Sequence, residues 1–328
     1  MNVWVIGTGG LGRVLAGYLH DPPATNVLLV PVRGTSVDGL ASGLTVFTPE
    51  RTVTVRPPIV PLSAVDSTVG RPDVVLLCVK GDDTERAVAA VAAHVHGTLV
   101  VTPQNGLQAY RVADWLPGTS VAAAVMAFDG TALDGGRAVQ RRTRRRITLG
   151  MVSGTAPAGL RPAATLLSRC APVTLSEQID ATLWGKLVTN AAGNAVSAIT
   201  RLTMGEVTAH PDLLAWCVDL MSEGAEVAAR HGVRLAAADL LGIAPEVVRG
   251  GSTGPHGRRL MADYAAAHEP VAALRSSMCR DLDQGRPTEV AWINGEIVRH
   301  GDAVGAATIL HQQATAKVRH IEQKGSSC

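Results

Sequence analysis

A glycine-rich turn placed directly after the first apolar run, Gly7-Thr8-Gly9-Gly10-Leu11-Gly12, limits this chain more than any other feature. In a GxGxxG between strand and helix, the first glycine makes a tight turn. The second lets a pyrophosphate approach the backbone, and the third lets helix and strand close on each other. Val3 to Ile6 supplies the strand and Leu11 to Leu19 the helical spacing. Further apolar runs, Asn26 to Val32, Val74 to Val79, Thr98 to Thr102 and Ser120 to Phe128, read as strands, with a helical stretch from Asp83 to His94 between them. Runs that are apolar throughout suit a parallel sheet covered on both faces. The glycine spacing also suits a P-loop, but Arg13-Val14 stands where Lys and Ser/Thr would be needed.

The expected fold is α/β, an N-terminal Rossmann-type doubly wound parallel sheet followed by an all-helical C-terminal domain. Strand signals stop near Ser176, which divides 1–176 from 177–328. Beyond it, helical patterns cover Ile179 to Ile199, Pro211 to His231, Glu246 to Ala267, Val271 to Asp283 and Thr288 to His300, with a break at Gly250 to Pro255. The run Arg144 to Leu149 reads as an antiparallel extension of the sheet, and Arg141 to Arg146 as a solvated strand face.

Composition removes several function classes. Thirty Lys+Arg against 28 Asp+Glu leave a net charge of +2, which argues against a nucleic-acid surface built on bulk charge. No apolar run approaches the ~18 residues of a membrane span, and Asn2 to Ile6 enters a strand pattern without a signal-peptide leader, so the reading is cytoplasmic. Five scattered cysteines without a CxxC argue against a disulfide framework or a thiolate zinc site. His94 and His96 have no Cys, Asp or Glu cluster beside them, so no metal is expected.

The second strand runs into Pro31-Val32-Arg33, without the acidic residue that would bond an NAD ribose about 20 positions after the glycines. Arg33 offers a guanidinium to a 2′-phosphate, with Thr35 and Ser36 as further donors, which favours NADPH. Lys80 and Asn105 follow two other strands, where an open parallel sheet binds ligands. Asn105-Gly106 alone would also read as an ordinary turn. Lys186, Asn190 and Asn194 recur at i, i+4 and i+8, a polar stripe on an otherwise apolar helix. Such a stripe walls a cleft or joins a satisfied buried network. Glu289, two residues after Pro287, falls where a helix start would hold a carboxylate charged, and a capping role accounts for it equally.

Together these segments resemble the ketopantoate reductase (2-dehydropantoate 2-reductase) family. The shared motifs are the glycine turn, a strand ending in Val79-Lys80, Gln104-Asn105-Gly106, and Leu183-Trp184-x-Lys186-Leu187-x-x-Asn190-x-x-x-Asn194. Ser276-Ser277-Met278-x-x-Asp281-Leu282 and Thr288-Glu289-x-x-x-Ile293-Asn294-Gly295 complete the set. The resemblance implies NADPH-dependent reduction of a 2-keto acid, with Lys186 as proton donor and Glu289 as partner of cofactor ribose or substrate. It makes Asn105, Asn190, Asn194 and Ser277 substrate or cofactor contacts, and Arg33 and Lys80 contacts of the NADPH phosphates and ribose. Gly7, Thr8, Gly9, Gly10, Leu11 and Gly12 form the cofactor turn.

Two departures lie in the substrate half. Arg201-Leu202-Thr203-Met204-Gly205 stands where family members often carry a further Asn, and residues 232–275 form a longer segment. The departures favour a different small 2-keto acid, but the resemblance makes reduction of 2-dehydropantoate to pantoate, by a monomer or homodimer, the leading reading. The alternatives are the same reaction on another small 2-keto acid, a dehydrogenase of 3-hydroxy or sugar acids, and a non-catalytic NADP(H)-binding redox sensor.

Overall fold

The apolar runs of the first half become the strands of a seven-stranded sheet. In the computed structural model, which describes residues 1–33, 39–65, 69–154 and 160–325, the strands are β1 (Asn2–Ile6), β2 (Asn26–Val30), β3 (Leu44–Phe47), β4 (Thr52–Val55), β5 (Val74–Leu77), β6 (Leu99–Thr102), β7 (Ser120–Met126), β8 (Thr131–Leu133), β9 (Arg137–Val139), β10 (Ile147–Ser153) and β11 (Val173–Leu175). The helices are α1 (Gly10–Leu19), α2 (Gly81–Val91), α3 (Gln108–Trp115), α4 (Leu160–Leu167), α5 (Ile179–Thr200), α6 (Met204–Ala209), α7 (Pro211–Arg230), α8 (Pro245–Val248), α9 (Gly257–His268), α10 (Ser277–Asp283), α11 (Asn294–Val304) and α12 (Ile309–Gly325). The chain separates into two units, Met1–Gln104 with Gln108–Ile179, and Asn105–Leu107 with Asp180 onward.

The large sheet has the order β11-β10-β7-β6-β5-β1-β2. β2, β1, β5, β6 and β7 run parallel, and β10 pairs antiparallel with β7. From β1 the chain steps to β2 on one side and later to β5 on the other. The glycine turn thus lies at the topological switch point, where such sheets bind ligands. Alternate strand residues feed two cores. Val3, Val5, Leu29 and Leu76 meet α1 and α4, while Trp4, Ile6, Val75 and Leu77 meet α2 and α3.

Four short strands make a second sheet, β4-β3-β9-β8, which the sequence pattern did not suggest. This sheet packs on α1, so that helix is buried from Gly12 to Leu19 and comes closest to its neighbours at its glycines. A Cβ on Gly17 would lie 2.5 Å from Val46 Cγ2, and one on Gly10 would lie 2.0 Å from the Gly130 carbonyl oxygen. Arg13 is enclosed in the same layer. Its Nε donates to the Thr8 carbonyl at 2.8 Å, and its Nη1 donates to those of Leu133 and Arg137 at 2.8 and 3.0 Å. Burial lowers the guanidinium pKa, and these carbonyl bonds compensate the buried cation.

Several expected boundaries move for local reasons. β2 stops at Val30 rather than Val32, because Pro31 has no N–H to continue the ladder. The arginine run is a loop and not a strand face: β10 begins at Ile147, and Arg141, Arg142, Arg144 and Arg146 are exposed. The helix expected over Val271 to Asp283 is a 3₁₀ turn, Glu269–Val271, followed by α10. Ser276 starts α10 by accepting the Cys279 N–H at 3.0 Å. The Gly250–Pro255 interruption is observed, with Gly250 and Gly251 at φ +87° and +61°. α12 was not anticipated. No helix among the described residues is long and apolar enough to cross a membrane.

The second unit is built around α5, α7, α11 and α12, joined at His311. Its Nε2–H donates to the Leu220 carbonyl at 3.0 Å, so Nδ1 is the acceptor for Asn294 Nδ2 at 3.1 Å, and Asn294 also donates to the Ala191 carbonyl at 2.9 Å. Burial pushes this imidazole down to about 4 from an ordinary 6.5, so it stays neutral in the fold. Below about 6.5 the unfolded chain takes up a proton that folded His311 refuses until about 4, so stability present above that range is lost as pH falls through it. The loss amounts to about 3 kcal/mol. Urea midpoints measured across this window should fall more steeply for the wild type than for His311→Gln; parallel curves would remove His311 from the acid response.

Candidate active site

The glycine turn is closed on every side but one. Gly7 has φ +102°, and a Cβ there would sit 2.8 Å from the Cys78 backbone; one on Gly12 would come within 2.0 Å of the Gly7 carbonyl oxygen. A Cβ on Gly9 would meet nothing within 4 Å. Thr8 is buried, Leu11 half-buried, and Gly9 exposed at the N-cap of α1, where the first N–H groups have no partner within the helix. This is the shape of a phosphate cradle, and the residues fit a dinucleotide.

Two strand ends adjoin it in the same unit. Lys80, half-buried, is the N-cap of α2, and its carbonyl accepts the Asp83 N–H at 3.0 Å. Gln104 follows β6 and donates through Nε2 to the Val79 carbonyl (2.9 Å) and to Thr84 Oγ1 (2.8 Å), while its Oε1 is buried with no hydrogen bond among the described residues. Arg33 is exposed beyond β2 and pairs through Nε with Asp83 Oδ2 at 2.7 Å. Asp83 Oδ1 also accepts from Arg86 Nη2 at 2.9 Å. Thr35 and Ser36 lie outside the described residues. Sequence reasoning missed Gln104, Asp83 and Arg86, because each gains its place from strand and helix ends meeting across the sheet.

In the second unit, α5 carries the polar stripe as expected. Lys186, Asn190 and Asn194 are half-buried, whereas Leu187, Val188, Ala191, Ala192, Ala195 and Val196 around them are buried. The stripe thus forms a partly accessible wall along an otherwise buried helix. α10 is fastened to that wall: Ser276 Oγ donates to the Asn194 carbonyl at 3.0 Å, and Ser276 N–H donates to Ser197 Oγ at 3.2 Å. Ser277, the first residue of α10, follows Ser276 directly in the chain. Ser276 is the positioning residue that sequence reasoning left out, although its place one residue ahead of a short helix marks a cap.

Glu289 departs from its expected setting. The helix predicted from Thr288 begins only at Asn294, preceded by a 3₁₀ turn, Val290–Trp292. Glu289 makes no side-chain capping bond. Its Oε2 instead accepts from Asn105 Nδ2 at 3.2 Å. The backbone enforces this meeting, since Gly106 (φ +74°) lies so close to Trp292 that a Cβ would fall 2.3 Å from its carbonyl oxygen. The Asn-Gly pair is more than a turn: it belongs to the second unit and holds Glu289.

The long segment 232–275 braces α5. A Cβ on Gly185 would lie 2.4 Å from the Asp239 carbonyl oxygen, and one on Gly193 would lie 3.0 Å from both Met204 Cε and Tyr264 Oη. Tyr264 is fully buried. Both departures noted in the sequence thus touch the helix that bears the stripe, Met204 from α6 and Asp239 and Tyr264 from the long segment. Among the described residues, no group of three or more His, Cys, Asp or Glu is placed to hold a metal ion.

Comparison with known proteins gives this arrangement its family. Among curated relatives, 2-dehydropantoate 2-reductase of Archaeoglobus fulgidus is 28% identical over 334 residues, covering 98% of each chain. That of Halobacterium salinarum is 28% identical, covering 91% of each. Among solved structures, a PanE/ApbA family ketopantoate reductase from Ralstonia eutropha matches with a TM-score of 0.81 at 28% identity, over 99% of this chain and all of the other. D-mandelate dehydrogenase, in a ternary structure with NADH and anilino(oxo)acetate, has a TM-score of 0.85 at 20% identity over 99% of this chain and all of the other, a likeness of fold. The model described as ketopantoate reductase PanE/ApbA matches residues 3–154, and that described as ketopantoate reductase PanE/ApbA C terminal matches residues 178–322. With one model matching its N-terminal half and the other its C-terminal half, the chain belongs to the ketopantoate reductase family.

Proposed function

We propose that this protein is an NADPH-dependent reductase that converts 2-dehydropantoate to pantoate, with 1–176 as the cofactor-binding domain and 177–328 as the substrate and catalytic domain. The observation that carries this reading is the half-buried Lys186–Asn190–Asn194 stripe, with α10, whose first residue is Ser277, fastened to its helix through Ser276. NADPH, when bound, supplies the hydride for the ketone carbon. The chain's own residues do the rest. An alkoxide forming at the carbonyl oxygen is far more basic than an amine, so an ammonium at Lys186 Nζ both polarises the carbonyl and delivers the proton that completes the alcohol. Asn190 and Asn194 supply neutral amide donors that orient an α-keto carboxylate without adding charge, and the Ser277 hydroxyl adds a third.

The Asn105–Glu289 pair supplies an oriented carboxylate. Asn105 donates to one oxygen of Glu289 and so helps to orient the carboxylate, a group whose chemistry suits a ribose or substrate hydroxyl. Gly7 to Gly12 and Lys80 hold the pyrophosphate and ribose, and Arg33 the 2′-phosphate. A second reading, the same reaction on another small 2-keto acid, is favoured by Met204, an apolar residue within the Arg201–Gly205 stretch where relatives often place an amide. The sensor reading has no use for a proton donor such as Lys186. A cytoplasmic location and a monomeric or homodimeric state complete the proposal.

The test is NADPH oxidation by purified protein with 2-dehydropantoate and a panel of other 2-keto acids. Turnover on 2-dehydropantoate is expected, turnover only on another acid selects the second reading, and NADPH binding without turnover on any acid overturns the enzymatic proposal. Lys186→Ala should lower kcat by about 10²–10⁴-fold while NADPH binding stays close to wild type. Wild-type turnover in that variant would sink the proton-donor role. Asn105→Ala should reduce kcat/KM by about tenfold, since it leaves Glu289 misoriented, and steady-state kinetics on the folded variant reads this directly.

A further inference from the structure

Beyond the end of β2 the first unit contains a cavity of about 320 Å³, lined by Pro31, Val32, Pro61, Leu62 and Ala90 with the guanidinium groups of Arg33 and Arg86. Its chemistry is divided. The prolines, Leu62 and Ala90 give flat, apolar walls, while the two arginines bring positive charge to one rim. Arg33 reaches the rim from the strand end and Arg86 from α2, and both are 56% exposed.

Between them stands Asp83, 15% exposed, which takes Arg33 Nε on Oδ2 at 2.7 Å and Arg86 Nη2 on Oδ1 at 2.9 Å. Arg86 Nη2 also donates to the Val32 carbonyl at 3.1 Å. An Asp and an Arg three residues apart on a helix commonly make a surface ion pair of little consequence. This pair differs in three respects: the same carboxylate holds a second arginine from another element, Arg86 is tied to the β2 end, and both cations border a cavity. Arg86 and Ala90 fall at i and i+4, so one face of α2 forms this side of the cavity.

We infer that Arg86 is a second determinant of specificity for the ribose 2′-phosphate of NADPH, acting with Arg33 as a two-armed clamp that Asp83 holds assembled. The inference rests on the cofactor reading above and deepens it. Arg86 commits Nη2 to Asp83 and the Val32 carbonyl, and its Nη1 and Nε can take a phosphate oxygen. The shared carboxylate offsets the mutual repulsion of the two cations, so both stay at the rim. The apolar walls suit a purine ring, whose ribose would then bring its 2′ substituent to the arginines. An uncharged 2′-hydroxyl makes no comparable demand on them, so Arg86 distinguishes NADPH from NADH.

The test is titration of the full-length protein with NADPH, NADH and 2′,5′-ADP, comparing wild type with Arg86→Ala and Arg86→Lys. Arg86→Ala should weaken NADPH and 2′,5′-ADP by at least about tenfold and leave NADH within about twofold, with Arg86→Lys in between because it keeps the charge and loses the fork. Unchanged NADH affinity certifies that the variant is folded. Wild-type affinity of Arg86→Ala for NADPH and 2′,5′-ADP would overturn the inference while leaving the cofactor reading intact. Equal weakening of NADH would overturn it too, reducing Arg86 to a prop for the fold. A wild-type protein that binds neither dinucleotide would fail the cofactor reading itself, a result separable from the other two.

Discussion

How closely α1 approaches its neighbours decides most of what the first unit can do. The helix lies between two sheets, against the Cys78 end of β5 through the glycine turn and against Gly130 and Val46 on its other side. Side chains at those positions would hold the layers apart, so the glycines set the distance between the sheets. That distance puts the start of α1 at the switch point with only Gly9 open. Arg13 then locks the arrangement from inside, its guanidinium spanning carbonyls of the turn and of the small sheet. A buried cation is costly to leave unpaired, so the turn and the second sheet are stabilised jointly.

The second unit solves a different problem, that of keeping polar groups accessible on a helix that must also form a core. α5 does so by dividing its circumference: Ala and Val residues make the core, while Lys186, Asn190 and Asn194 occupy the remaining stripe. Packing against its glycines is tight on other sides, with Asp239 over Gly185 and Tyr264 and Met204 over Gly193. The stripe is thereby supported by elements that supply none of its chemistry. Ser276 performs a double task, capping α10 and joining it to α5 through the Asn194 carbonyl.

Much of this was legible in the chain itself, for identifiable reasons. The parallel strands show because burial on both faces leaves uninterrupted apolar runs, and the polar stripe shows because helical spacing of four residues survives in sequence. The small sheet does not show, since strands of three or four residues with mixed burial leave no period to read. Glu289 was misplaced because Pro287 suggests a helix start, whereas the chain makes a 3₁₀ turn first and lends the carboxylate to Asn105. Arg86 carries no signal in the sequence, because its place depends on α2 lying beside the end of β2. In each case a local pattern carried the element, and a meeting of distant segments carried the role.

The passage of Asn105–Leu107 out of the first unit has a consequence for the ancestry of such proteins. Three residues between β6 and α3 belong with the C-terminal body, and one of them holds Glu289. The two halves are therefore not interchangeable cassettes. A recombination event that joined a foreign C-terminal half after Ile179 would bring in a new glutamate and keep the old asparagine. The turn at 105–107 would then face a backbone it had not evolved against. Replacing the second half therefore also calls for adjusting residues 105–107, a loop that lies within the first half of the sequence.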